Sequence, residues 1–136
     1  ARVSGGGFAI AEHLATIDSA VTDWVASAEL FLRVPYLWGG RDSLGLDCSG
    51  LVQTSLETGG IVALRNADMQ EATLGRAIPT DSALKRGDLI FWDGHVAIMR
   101  NASEMLHANA FHMMTAIEPY HDARERIGPP RTTRRL

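Results

Sequence analysis

The sequence predicts an α+β domain in which short helices come first and an antiparallel sheet follows. Three observations carry that expectation. Through the first half, apolar residues recur at three- and four-residue spacing, the period of a helix face. Past Gly87 the period drops to two, in short runs rich in Ile, Val, Phe, Trp and Met. Short polar turns join those runs, as in a meander. With 136 residues, 46% of them hydrophobic and 21% charged, the chain is long enough for one substantial core and has an ordinary globular composition.

The elements follow in order. Residues 1 to about 17, with glycines at positions 5 to 7, read as a linker or the remnant of an upstream domain, which leaves 18–136 as the folded domain. The chain opens on "ARVSGGGFAI", without Met or a charged-then-apolar leader. A processed or truncated product is therefore expected, and the missing leader does not argue for the cytoplasm. Over "DSAVTDWVASAELFLR", Asp18 or Ser19 can cap a helix whose face carries Val21, Trp24, Val25, Ala28 and Leu32, and Pro35 stops it. "YLWGGRDSLGLD" is turn-rich. A second helical pattern starts near Cys48, shows Leu51, Val52, Ser55 and Leu56 on one face, and ends at Gly59-Gly60. "NADMQEATLG" predicts a short third helix, and Pro79 through Gly87 a loop.

"DLIFW", "HVAIMR", "EMLHANA" and "MMTAIE" then predict strands, separated by Asp93-Gly94, "RNAS" and Phe111-His112. Met105, Met113 and Met114 fall on these strand patterns and are expected in the core. The basic end, "RTTRRL", reads as a solvated tail or an edge strand. A formal net charge of −3 argues against nucleic acid as the main partner. No run approaches the roughly 18 apolar residues of a membrane span.

Cys48 is the only cysteine, so no disulfide can form within the chain. It lies between Asp47 and Ser49 at the start of the second helical pattern, with Gly45 before it and Gly50 after. A thiol attacks as thiolate, and free cysteine, at a pKa of about 8.5, is mostly protonated at neutral pH. Backbone N–H groups at a helix start favour the thiolate and can hold a developing oxyanion. The local alternative is a small buried structural thiol.

A base must come from elsewhere. His13 lies in the irregular N-terminal stretch and His121 in a polar segment, and both are expected at the surface, as is His112 after its turn. His95 opens "HVAIM" and His107 sits in "MLHAN". If the hairpin between them turns through Arg100, Asn101 and Ala102, opposed residues carry numbers totalling 202, as 95 and 107 do. Opposed residues share a face with Cβ atoms roughly 4.5–5.5 Å apart, so one imidazole can orient the other. Asn109, on the same face as His107, is the second candidate orienter. One Cys and two separated His lack the close paired spacing of zinc sites, so no metal is expected.

With "PYLWGGRDSLGLDCSGLVQ", "RGDLIFWDGHVAIM" and "MLHANA" in view, the chain resembles the NlpC-type family of papain-like, cell-wall cysteine peptidases. The likeness runs from about residue 24 to the end. It implies a papain-like fold, N-terminal helices packed on the histidine-bearing sheet. It also implies a triad with Cys48 as nucleophile, His95 as general base and His107 orienting His95. Tyr36 matches a tyrosine that assists the oxyanion, and Trp38 is either a wall of the cleft or core.

The family's usual reaction is cleavage of γ-D-glutamyl-diamino acid bonds in peptidoglycan stem peptides, without a cofactor. Members that prefer a free N-terminal L-alanine use the residues matching Asp47, for the ammonium, and Ser49, for the substrate backbone. An acid beside the nucleophile opposes thiolate formation, so binding a substrate cation would give it a purpose. Plain N-capping is the alternative for both residues. Arg41 meets a substrate carboxylate or is simply a solvated loop residue, and Gln70 matches a polar cleft position. Relatives commonly carry upstream β-barrel domains of the Src-homology kind. Two other readings stay open: an acyl or amide transferase on the same scaffold, and a wall-binding module with a silent site. The sequence does not choose between wall remodelling outside the cell and fragment recycling within it.

Overall fold

The computed structural model describes residues 1–136, the side chain of His13 excepted. The surface position expected of His13 lies outside the described residues. The first helix, α1 (Trp24–Glu29), is shorter than the spacing predicts. Its cap is Asp23, whose carboxylate accepts the Ala26 N–H at 3.3 Å, rather than Asp18 or Ser19. The preceding segment is drawn off elsewhere: the Val21 N–H donates to Thr58 O at the end of the next helix. Beyond α1 the chain turns at Arg33, whose φ of 70° no helix accommodates, before reaching Pro35.

A two-stranded ribbon, β1 (Arg41–Asp42) and β2 (Gly45–Leu46), delivers the chain into α2 (Cys48–Thr58). Leu51, Val52, Ser55 and Leu56 are all buried there, and Gly59-Gly60 ends the helix as expected, with Gly60 at φ 73°. The short third helix is α3 (Ala67–Thr73). It is followed by β3 (Arg76–Ile78), which the sequence pattern does not reveal.

The four expected strands are β4 (Leu89–Trp92), β5 (His95–Met99), β6 (Glu104–Asn109) and β7 (Met114–Pro119). A polar helix, α4 (Tyr120–Ile127), and β8 (Thr132–Arg135) complete the chain. The sheet order is β3-β8-β4-β5-β6-β7, antiparallel throughout. Thus "RTTRRL" is neither tail nor edge. It is an interior strand whose Arg135 grips the buried Asp88 carboxylate with two 2.7 Å contacts, and whose Arg134 reaches the Leu74 and Gly75 carbonyls. Long stems let these charges reach partners past the strand edge.

The sheet is covered on both faces. α1 and α2 pack with Leu89, Phe91, Val96, Ile98 and Leu106 on one side. Ile90, Trp92, Ala97, Met99 and Met105 meet Ala123 of α4 on the other. Met105 is core as expected, but Met113 and Met114 are exposed, Met113 in the turn before β7 and Met114 at the first rung of its ladder.

The β5–β6 register differs from the expected one. Ile98 faces Leu106 and Met99 faces Met105, a total of 204 rather than 202. Asn101 explains the shift: its Oδ1 accepts the N–H groups of Ser103 and Glu104, which centres the turn on Ala102 rather than Asn101. His95 and His107 are therefore not directly opposed. The parity is unchanged, so both stay on one face as diagonal neighbours.

Candidate active site

The site grows from the start of α2. Asp47 is the N-cap: Oδ1 accepts the Gly50 N–H at 2.7 Å, and Oδ2 accepts the Gly39 N–H at 2.8 Å. A cap of this kind is worth ~1 kcal/mol. The approach to it is tight. A Cβ built on Gly40 would lie 2.3 Å from Gly45 O, and one on Gly50 would lie 2.3 Å from Gly40 O. The glycines let the ribbon lie directly on the first turn of α2, and so fix where Cys48 emerges.

Cys48 is 7% exposed, with Sγ 4.0 Å from Gly94 O on the loop leading into β5. Burial pushes its thiol pKa up and the Asp47 charge adds to this, while backbone N–H groups of Val96, Ser49 and Cys48 itself pull it down. The balance leaves a protonated thiol at rest, against the lowered pKa that the helix start alone suggests. Attack therefore needs a base.

His95 stands between Gly94 and Val96, both of which touch the sulfur's surroundings. Its Nε2 meets His107 Nδ1 at 2.8 Å, which leaves its Nδ1 outside that contact. Burial lowers the pKa of both imidazoles, and His107 lowers that of His95 further. Both rings are thus neutral near pH 7. His107 is fully buried, and its Nε2 lies 2.6 Å from Glu118 Oε1, an oxygen that also accepts from Arg126.

Asn109, the second candidate orienter, serves His112 instead: its Oδ1 accepts the His112 N–H at 2.8 Å and faces that ring's Nδ1 at 3.0 Å. This contact explains why His112 is half-buried rather than exposed. His121 is exposed as expected. His107, His112 and Glu118 place ligand atoms within 4.8 Å of one another. The guanidinium on Glu118 already supplies a cation at that point, and a second, divalent one would be opposed by it.

In front of Cys48 lies a cavity of about 560 Å³ lined by Trp38, Ser49, Arg65, Asp68 and Asp93 among others. Trp38 stands on its rim, 82% exposed, as a wall and not as core. Tyr36 is half-buried. Burial raises its pKa, and the charges of Cys48 and Asp47 raise it further, so the phenol keeps its proton within electrostatic reach of the sulfur. Arg41 points elsewhere and pairs with Glu57 at 3.1 Å on the surface. Gln70 is fully buried, not in the cleft; its amide donates to Ser49 O and Leu64 O.

Sequence reasoning missed Arg65. Its guanidinium binds both Asp47 oxygens, at 2.8 and 2.6 Å, and donates to Ser49 Oγ at 3.0 Å. Asp47 therefore carries no spare negative charge, and Ser49 is shared. The signal was indirect: a buried carboxylate at residue 47 demands a cation.

A family model described as "NlpC/P60 family" matches residues 33–126. The chain belongs to the NlpC/P60 family. It is 34% identical over 100 residues to "Dipeptidyl-peptidase 6" of Lysinibacillus sphaericus, covering 74% of this chain and 36% of that one. It is 35% identical over 94 residues to "Gamma-D-glutamyl-L-lysine dipeptidyl-peptidase" of Bacillus subtilis (strain 168), covering 63% and 31%. The chain thus spans about a third of these relatives. A solved NlpC/P60 family protein from Bacillus cereus superposes with a TM-score of 0.73 at 30% identity, covering 83% of this chain and 39% of that one. The arrangement of NlpC/P60 helices before a six-stranded antiparallel sheet is papain-like, as the sequence suggests. No helix among the described residues is long and apolar enough to cross a membrane.

Proposed function

We propose that this NlpC/P60 domain is a cysteine peptidase that hydrolyses the γ-D-glutamyl-diamino acid bond of peptidoglycan stem peptides. The observation that carries the reading is Cys48 lining an open cavity with its sulfur 4.0 Å from the carbonyl of Gly94, the residue before His95, whose Nε2 in turn meets His107 Nδ1 at 2.8 Å. The printed name of the Bacillus subtilis relative supports the choice of bond.

His95 Nδ1 takes the Cys48 proton as the sulfur attacks the γ-glutamyl carbonyl. First-turn N–H groups of α2 and the Tyr36 hydroxyl stabilise the oxyanion. His95 then returns the proton to the leaving amine, the C–N bond breaks, and water activated by the same imidazole hydrolyses the thioester. These steps use only the chain's own residues and water.

A free N-terminal L-alanine is the preferred end of the substrate. Asp47, Asp68 and Asp93 outnumber Arg65 on the cavity wall, which favours a cationic peptide. Since Asp47 is held by Arg65, the ammonium meets the Asp47–Ser49–Arg65 cluster as a whole, and Asp68 and Asp93 supply the excess charge.

The test is incubation with L-Ala-γ-D-Glu-diaminopimelate, its N-acetyl twin and its α-linked isomer, followed by mass spectrometry. Cleavage of the free-amine γ-linked peptide alone is expected. Cleavage of both γ-linked peptides removes the free-amine preference. Cleavage of none, with Cys48 still readily alkylated, favours acyl transfer and sinks the hydrolase reading.

A further inference from the structure

We propose that Glu118, held by Arg126, is the positioning residue that sets the proton order along the His107–His95 pair. The inference rests on the proposed Cys48–His95 chemistry and extends it one shell outward. His107 has no exposed surface, and both of its nitrogens are engaged, Nδ1 with His95 and Nε2 with Glu118. A carboxylate only accepts hydrogen bonds. At 2.6 Å from Glu118 Oε1, the His107 Nε2 must therefore carry its proton, since two acceptors at that distance would repel.

The rest follows by exclusion. A neutral imidazole has one N–H, so His107 Nδ1 is bare and accepts. His95 Nε2, 2.8 Å away, must then be the donor, which leaves His95 Nδ1 unprotonated and able to take a proton from the Cys48 thiol. The reverse order would put the proton on His95 Nδ1 and abolish its basicity. Glu118 thus acts on the reacting sulfur through two rings without touching substrate.

The fold secures that carboxylate. Glu118 lies near the end of β7, on the strand next to His107, and its side chain is 11% exposed. Arg126, from the α4 helix that follows β7 directly, donates to the same Oε1, and its guanidinium carbon sits 4.1 Å over the Phe111 ring. The polar helix that the sequence pattern does not announce therefore has a second use: it delivers the cation that holds Glu118 against His107.

The experiment is ¹⁵N NMR of the imidazole nitrogens in wild type, Glu118→Gln and Glu118→Leu, with steady-state kinetics on the γ-linked peptide. Wild type should show a protonated Nε2 and bare Nδ1 in both rings. Glu118→Gln can still offer an amide oxygen, which Arg126 keeps turned toward His107. It should keep the tautomers and most of the activity. Glu118→Leu should give mixed or reversed tautomers and lose about 10²-fold in kcat at nearly constant KM, the scale of a lost general base. A wild-type His107 protonated at Nδ1 overturns the proposal, whether or not any variant folds. So does Glu118→Leu with unchanged tautomers and kcat. The spectra read the proton order without substrate, so a failure to cleave the peptide sinks the peptidase reading and leaves this test standing.

Discussion

Replacing Arg65 by alanine would strand the Asp47 carboxylate beside Cys48, at a cost that follows from the geometry. Asp47's side chain is 10% exposed and Arg65's 30%, with contacts of 2.6 and 2.8 Å. Removing one partner of a fully buried pair costs ~3–5 kcal/mol. Here Asp47 keeps the Gly39 and Gly50 N–H groups, and the vacated side opens to the cavity, so water partly replaces the guanidinium. About 2 kcal/mol is the expected loss, or a fall in Tm of roughly 6–8 °C for a domain of this size. The chemistry should move too. Asp47 already pushes the Cys48 thiol up, and without Arg65 it would push harder. Urea unfolding and the pH dependence of iodoacetamide alkylation check both effects. Arg65→Lys should fall between wild type and alanine, keeping charge without the bidentate fork. A loss below ~0.5 kcal/mol together with an unmoved alkylation profile would refute the reasoning.

Two further outcomes follow from the same site. An imidazole at its ordinary pKa of about 6.5 is some 90% protonated at pH 5.5, but burial and His107 hold His95 near 3. Its base form survives mild acid and is lost only as pH falls through that depressed value. The acid limb of kcat/KM should therefore lie below pH 5, and a limb centred at 6.5 contradicts the burial argument. Gly50→Ala drives a Cβ to 2.3 Å from the Gly40 carbonyl, backbone against backbone. It should destabilise by at least ~2 kcal/mol and slow Cys48 alkylation, whereas Gly94→Ala, with open space around it but φ at 67°, should cost ~1 kcal/mol. Equal stabilities for the two variants would show that the ribbon does not fix the helix start.

What the sequence made legible is local chemistry. Cys48 before a helical face, His95 after a tight turn and His107 at even spacing can each be read within a few residues. The parity of that spacing survived a wrong register, because strands tolerate a shift of two in the total without changing face. What stayed hidden depends on partners distant in the chain. Arg65 is an unremarkable cation until it is seen on Asp47, 18 residues away. Glu118 looks like an outward strand residue until Arg126 and His107 close on it. The start of α1 was misplaced for the same reason: Arg86 joins Ala26 in engaging Asp23, and Thr58 engages Val21. β8 reads as a tail because its arginines hide a two-sided strand.

The most direct measurement compares wild type with Cys48→Ala on L-Ala-γ-D-Glu-diaminopimelate, following release of diaminopimelate by mass spectrometry. Wild type should release it, and the variant, folded by circular dichroism, should release none above the uncatalysed rate. Release by Cys48→Ala at the wild-type rate would contradict nucleophilic catalysis by this thiol.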